Sequence, residues 1–151
     1  MINPNLLQLV VNASNDGIVI AEREGSDNIL IYVNPAFERM TGYTSEDILY
    51  QDCRFLQNGQ ASDATRRALR MAIDNGLPCR QVMLNFRKDG TPFWNELAIA
   101  PVDNEGDGRR YFIGIQKDVT DQVVAQERIM QLEQELALLR QEIVQATKPE
   151  R

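Results

Sequence analysis

The stretch PFWNELAIAP, residues 92–101, alternates in the manner of a half-buried β-strand. Phe93, Leu97 and Ile99 share one face of this strand, because successive side chains point to opposite sides. The same face carries the amide of Asn95. An amide on an otherwise apolar face must find a hydrogen-bonding partner or cost stability. A polar ligand bound against this strand would be such a partner.

Four further stretches have the composition of strands, and turn residues separate them. The sequence predicts five strands, over residues 17–21, 29–33, 79–87, 92–101 and 110–119. Residues 24–28, 88–90 and 103–108 supply hairpin turns and a loop. Short helices are predicted after Asn34-Pro35 and from Ser45, and a longer one over residues 62–75. This order implies an α+β fold, in which a five-stranded antiparallel sheet carries helices on one side.

Helices are also predicted at both ends of the chain. Asn3 and Pro4 suit the start of a short amphipathic helix, which we place within residues 1–15 as a cap on a core of residues 16–119. A long helix is predicted over residues 120–147, with Thr120 as its N-cap and residues 148–151 as a tail.

The long C-terminal helix carries apolar residues in steps of four and three, which is typical of a coiled coil. These residues are Ala125, Ile129, Leu132, Leu136, Leu139, Ile143 and Ala146. A homodimer through the terminal helices is therefore expected. Further apolar residues widen the stripe enough for the alternative, in which the helix packs on the chain's own sheet: Val123, Val124, Met130, Leu138 and Val144.

The composition excludes several classes of function. A net charge of −6 argues against nucleic acid and anionic membranes as partners. No apolar run reaches the ~20 residues of a membrane span, and the start lacks a signal-peptide pattern, so a cytoplasmic location is expected. The chain has no histidine and two cysteines, which excludes a Ser-His-Asp hydrolase and argues against a zinc site. We expect no metal.

Four motifs together resemble the light-oxygen-voltage domains of the PAS superfamily. They are residues 51–57 (QDCRFLQ), 85–90 (NFRKDG), 93–95 (FWN) and 114–119 (GIQKDV). The resemblance runs from Asp16 to Val119 and extends more loosely into the C-terminal helix, as in short bacterial members without an output domain. It implies a PAS-type sheet. One position departs from the family pattern, since Asp52 stands where the family has an asparagine that contacts the flavin's ribityl chain.

The resemblance also implies a chemistry. Blue light excites a bound flavin, the sulfur of Cys53 bonds to ring carbon C4a, N5 becomes protonated, and the bond breaks thermally in darkness. Gln116 is the amide that would rotate when N5 changes from acceptor to donor. The protein would then be a blue-light photoreceptor and no enzyme, which signals through its dimer or its C-terminal helix to a downstream protein that the sequence does not identify.

Three amides suit the pyrimidine edge of an isoalloxazine ring, because each offers an acceptor and a donor. Asn95 lies among apolar residues, and Gln116 shares strand parity with Phe112 and Gly114, where a glycine lets a flat ligand approach the backbone. For Asn85 the pattern is weaker, because Arg87 shares its face. The alternative for each amide alone is simple pairing across the sheet.

Arginines provide candidate ligands for a phosphate, which implies flavin mononucleotide. Arg54, Arg66 and Arg70 are proposed, with Gln57 adding an amide. Arg67 points about 100° away from the Arg66 and Arg70 face of its helix and is expected to be solvated. A simply basic helix face remains an alternative for Arg66.

The predicted site completes these residues with apolar contacts and the cysteine motif. The cofactor-binding set is Val19, Asp52, Arg54, Leu56, Gln57, Arg66, Arg70, Asn85, Asn95, Leu97, Phe112 and Gln116, with Cys53 as the reactive thiol. Cys79 is expected to be inert packing. Two other functions compete: a light-blind PAS-type module for ligand binding or dimerisation, and, less favoured, a flavin oxidoreductase, for which no glycine-rich nicotinamide motif is present.

Overall fold

The computed structural model describes residues 1–57 and 59–150, and a five-stranded antiparallel sheet forms its centre. The strands are β1 (Gly17–Glu24), β2 (Asp27–Val33), β3 (Cys79–Phe86), β4 (Pro92–Asn104) and β5 (Arg109–Asp118). They lie in the order β2-β1-β5-β4-β3, so the first and last strands of the chain are hydrogen-bonded neighbours. The predicted α+β fold is confirmed.

Helices begin where side-chain caps satisfy their free amides. The helices are α1 (Pro4–Ala13), α2 (Pro35–Thr41), α3 (Ser45–Ile48), α4 (Asp63–Asn75) and α5 (Thr120–Ala146), with a 3₁₀ helix at Cys53–Gln57. Asn3, Asn34 and Ser62 cap α1, α2 and α4 by accepting hydrogen bonds from backbone N–H groups. Gly76 ends α4 in the left-handed conformation with φ of 62°.

Asn34 is fully buried and joins three elements with one amide. Its oxygen accepts from the backbone N–H of Ile18 at 2.8 Å and of Phe37 at 3.0 Å. Its nitrogen donates to the carbonyl oxygens of Val11 at 2.9 Å and Asp16 at 3.0 Å. Because every bonding position is used, this amide ties α1, β1 and α2 together without an unpaired polar atom.

The hairpin between β4 and β5 is longer than the sequence predicted. We expected β4 to end at Pro101, but it continues to Asn104, and β5 begins at Arg109. The register places Asp103 opposite Arg110, and the guanidinium Nε donates to the carboxylate at 2.7 Å. Opposite charges on facing positions favour pairing of strands, so polar residues extend the ladder here.

One face of the sheet is buried. Val19, Ala21, Leu30, Val33, Phe37, Ile48 and Leu56 form a hydrophobic cluster, with Cys53 packed against it. Farther along the same face lie Met83, Phe93 and Phe112, together with three buried amides. The core is therefore apolar on the β1–β2 side and partly polar towards β3 and β4.

The chain divides into two structural units, and the helix α5 belongs to the second, which begins at Thr120. Taken by itself it exposes its apolar stripe, with Ile143 62% and Leu139 55% accessible. A single helix cannot bury such a stripe, so this feature fits the predicted coiled-coil pattern. Within residues 1–57 and 59–150, no helix combines the length and hydrophobicity that a bilayer crossing requires.

Candidate functional site

A cavity of about 540 Å³ opens between the buried face of the sheet, the 3₁₀ helix and α4. This volume lies in the range of about 300–1,000 Å³ that small-molecule sites occupy. The predicted site residues in its wall are Val19, Cys53, Arg54, Leu56, Gln57, Arg66, Arg70, Asn85, Asn95, Leu97, Phe112 and Gln116. Asp52 is the predicted contact that the structure does not place in the wall. The fold thus brings together residues from both halves of the chain.

Strand register places the three amides beside one another. Asn85 pairs with Phe93, and Gln116 pairs with Leu97, so both are diagonal neighbours of Asn95. The amide nitrogen of Asn95 donates to Asn85 Oδ1 and to Gln116 Oε1, each at 2.8 Å. All three are at most 5% exposed. They form a single polar strip, which we call the amide strip, across the floor of the cavity.

Pairing across the sheet leaves the amide strip incomplete. In the part of the chain that the structure describes, Asn95 Oδ1 is buried and accepts no hydrogen bond. A buried acceptor without a donor costs roughly 1–3 kcal/mol, so a ligand N–H at this point would be stabilised. The pyrimidine edge of a flavin carries one N–H between two carbonyl groups. The unpaired acceptor of the amide strip therefore fits the N–H of a flavin.

Gly114 keeps the cavity floor open next to the amide strip. A Cβ atom at this position would lie 2.8 Å from Val19 Cγ2 and 3.5 Å from Leu97 Cδ1. The first distance is shorter than real contacts allow, so a larger residue would displace the cavity wall. The glycine lets the backbone of β5 form the floor itself, as its parity with Gln116 predicted.

Cys53 enters the cavity wall from the 3₁₀ helix. Burial, followed by the neighbouring carboxylate of Asp52, raises the pKa of the Cys53 thiol to about 11. The sulfur therefore carries its proton at neutral pH. A protonated thiol is a weak nucleophile, so this sulfur is poorly reactive at neutral pH without an activating group.

Four guanidinium groups line the cavity, and they differ in their partners. Arg23 pairs with Asp74 at 2.8 Å, Arg66 pairs with Asp63, and Arg54 pairs with two carboxylates. Among the described residues, no carboxylate lies within ion-pair distance of Arg70. Arg67 is exposed and absent from the wall. Arg70 is thus the guanidinium most available to a phosphate.

Sequence reasoning missed several residues of the wall. Arg23 and Ala21 share strand parity with Val19, and Ile99 shares it with Leu97, so parity alone could have found them. Cys79 lies outside the wall, where its thiol donates a long contact of 3.9 Å to the carbonyl oxygen of Ala68. That position fits the expected packing role.

The sequence matches a known domain family over most of its length. A model of the PAS domain matches residues 15–121. A blue-light photoreceptor of Listeria monocytogenes is 41% identical over 110 residues, which are 73% of this chain and 43% of that protein. The chain therefore spans less than half the length of this curated relative.

Solved structures give the same result. The light-oxygen-voltage domain of a blue-light-activated histidine kinase from Erythrobacter litoralis is 38% identical, with a TM-score of 0.64 over 70% of this chain and 96% of that domain. An RNA-binding light-oxygen-voltage receptor is 40% identical, with a TM-score of 0.77 over 92% of this chain and 38% of that protein. Likeness thus extends over nearly all of one isolated domain.

Alkylation of Cys53 should show the raised pKa directly. In a Cys79→Ala variant without ligand, the rate with iodoacetamide should keep rising through pH 9 and 10, with a midpoint near pH 11, because only the thiolate reacts. The same variant in denaturant is the control, and its midpoint should fall to about 8.5. A midpoint near 8.5 in the folded protein would contradict the burial of this thiol.

Proposed function

The chain belongs to the light-oxygen-voltage family of PAS domains, the sensory domains of blue-light photoreceptors, and from this premise we propose that it senses blue light through a flavin mononucleotide bonded reversibly to Cys53. One observation carries the proposal: the reactive thiol and the incomplete amide strip face the same cavity. The strip requires a ligand donor, and the thiol requires an activating group. A flavin would meet both requirements.

The cysteine chemistry follows from the state of the thiol. A bound flavin supplies the ring that absorbs blue light and the carbon, C4a, that takes the sulfur. Cys53 would hold its proton until the sulfur–carbon bond forms and would then give that proton to the neighbouring nitrogen N5. Breaking the bond in darkness would return the proton to Cys53, so no oxidant or reductant would be consumed.

Gln116 would respond to the change at N5. Its Oε1 accepts from Asn95 Nδ2, which leaves its own NH₂ group to donate towards the cavity. If the amide turns to present oxygen to a protonated N5, its NH₂ meets the NH₂ of Asn95. Two donors cannot bond to each other, so Asn95 must rearrange too, and the bond to Asn85 Oδ1 changes with it. The amide strip would switch as a unit.

A light-blind PAS module is the second candidate, and Cys53 separates the two. The position of Cys53 in the cavity wall favours the photoreceptor, because a cysteine that only packs in the core would not have to lie beside the ligand. Some relatives are blue-light-activated histidine kinases, and the chain covers 34% of one such protein. We propose that this chain acts as a sensory domain and catalyses no turnover reaction itself.

Removing the thiol should abolish the light response and retain the flavin. The wild-type protein should be yellow, with an absorption band that bleaches under blue light and returns in darkness. Cys53→Ala should bind flavin but show no reversible bleach, because only the sulfur is lost. Cys79→Ala is the matched control and should behave as wild type. A normal bleach in Cys53→Ala would assign the chemistry to another residue.

The phosphate of flavin mononucleotide is assigned to the cationic side of the cavity. Arg70 supports this assignment most strongly, because no carboxylate in residues 1–57 or 59–150 lies within ion-pair distance of it. Arg66, Arg54 and Gln57 line the same side. A guanidinium binds a phosphate through two parallel hydrogen bonds, which neutral riboflavin cannot accept at that end.

Arg70→Ala should therefore weaken flavin mononucleotide binding more than riboflavin binding. Loss of a charge-assisted contact costs roughly 1.5–3 kcal/mol, or about tenfold or more in Kd, and dark recovery should accelerate because the ring is held less firmly. Arg67→Ala, three residues away and outside the cavity wall, should leave both affinities unchanged. Fluorescence titration with the two flavins measures the difference. An unchanged preference in Arg70→Ala would refute the phosphate assignment.

We propose that the chain forms a homodimer through its terminal helices, and that its output is a change in this dimer. Gln116 lies four residues before Thr120, where α5 begins, so a change in β5 enters the helix directly along the backbone. α1 exposes Leu6, Leu7 and Val10, and α5 exposes its heptad stripe. One related fungal photoreceptor is described as a dimer in its light state. These features support a change in dimer geometry upon illumination.

The proposed downstream partner is a protein, and the proposed location is the cytoplasm. One relative is an RNA-binding receptor, but this chain spans 38% of it. The net charge of −6 opposes attraction to phosphate backbones. Nucleic acid is therefore not a proposed partner. Titratable groups that could hold a metal do not cluster within the described residues, and the proposal involves no metal.

Gln116→Leu should separate photochemistry from output. Leucine keeps similar bulk but cannot exchange donor for acceptor, so the Cys53 bond should still form while the light-dependent change in solution scattering shrinks. Allosteric coupling of this kind is typically about 1–3 kcal/mol. Gln57→Leu removes another cavity amide and is the control that should keep the structural response. A full response in Gln116→Leu would exclude this amide as the transmitter.

A further inference from the structure

The guanidinium of Arg54 is held between two carboxylates. Its Nε donates to Asp52 Oδ1 at 2.7 Å and its Nη2 to Asp52 Oδ2 at 3.2 Å, so Asp52 occupies one of the two guanidinium edges that can bind a phosphate bidentately. The same Nη2 lies 3.2 Å from Asp27 Oδ1. One cation thus faces two anions. We call this arrangement the Arg54 clamp.

Asp52 is fixed in place independently of the Arg54 side chain. Its Oδ1 also accepts from the backbone N–H of Arg54 at 3.0 Å, and its Oδ2 accepts from the backbone N–H of Asn28 at 3.2 Å. Burial opposes its ionisation, but these contacts and the guanidinium lower the pKa of the carboxyl below its usual value. The side chain is 23% exposed, against 52% for Asp27. Asp52 is therefore the stronger arm of the clamp.

The clamp changes what the cavity offers to a ligand. Arg54 lines the cavity, but one of its two bidentate edges is bonded to Asp52, and its positive charge faces a second carboxylate, Asp27. A phosphate arriving there must displace Asp52 or bind the remaining N–H groups beside two negative charges. Arg70, which carries no such partner among the described residues, is left as the main cationic contact.

We propose that Asp52 is a specificity-determining residue, which weakens the cavity's preference for a phosphorylated flavin over riboflavin by holding the guanidinium of Arg54. The proposal rests on the flavin-binding function proposed above and adds which residue sets the choice between the two flavins. Asp52 acts through Arg54 and needs no contact with the flavin, which agrees with its absence from the cavity wall. Its charge and its bidentate geometry both contribute.

The test is the ratio of the riboflavin Kd to the flavin mononucleotide Kd, measured by fluorescence titration of the full chain. Asp52→Asn removes the charge and one acceptor, so the ratio should rise by about threefold or more. Asp52→Ser tests the same prediction with a smaller side chain, in case the asparagine amide disturbs the contact with Asn28. Glu105→Gln, an exposed residue in the β4–β5 turn, controls for the change in net charge and should leave the ratio unchanged.

A second comparison shows whether the effect passes through Arg54. In an Arg54→Ala background, Asp52→Asn should change the ratio no further, because the freed guanidinium is missing. The proposal is overturned if both Asp52 variants keep the wild-type ratio, or if the rise persists without Arg54. Failure of the wild-type chain to bind either flavin would overturn the proposed function as well, whereas a wild type that binds and bleaches with no effect of Asp52 overturns this inference alone.

Discussion

A buried amide group must have every donor and acceptor satisfied, and this constraint organises the molecule. Asn34 meets it completely within the protein, with four hydrogen bonds that join α1, β1 and α2. Asn95 meets it only in part, because its oxygen accepts nothing within the described residues. The same side-chain chemistry thus has two uses. An amide with all of its hydrogen bonds made joins structural elements, and an amide with an unpaired oxygen offers a contact to a ligand.

The sheet order explains why the cavity, whose wall residues are distant in sequence, is also connected through β5 to the C-terminal helix α5. β5 lies between β1 and β4, so Gly114 faces Val19 on one side and Ile99 on the other. The strand that carries Gln116 is consequently central, supported on both edges, and continuous in sequence with α5. A change at Gln116 therefore acts on a strand that is hydrogen-bonded on both sides, whereas Asn85, at the other end of the amide strip, lies on the edge strand β3.

Local pattern predicted most of the fold and most of the cavity wall, because strand parity and helix caps depend on neighbouring residues. Among the three amides, Asn85 had the weakest sequence evidence for a ligand contact, because Arg87 shares its strand parity. In the structure β3 ends at Phe86. Arg87 then contacts the carbonyl oxygen of Met40 and the ring of Phe93. Ion pairs between residues far apart in sequence were beyond prediction. Asp27 and Arg54 form such a pair, and the bridge between Ile29 of β2 and Asp52 brings their two segments together.

The protonated state of Cys53 has a consequence for the kind of signal that such a domain can give. In the proposed reaction the sulfur of Cys53 would stay bonded to its own Cβ and bond to C4a, its proton would move to N5, and no charge would enter or leave the protein. Because burial raises the thiol pKa to about 11, Cys53 keeps its proton at every pH well below that value. Ionisation of this thiol would therefore add no pH dependence of its own to the response to light.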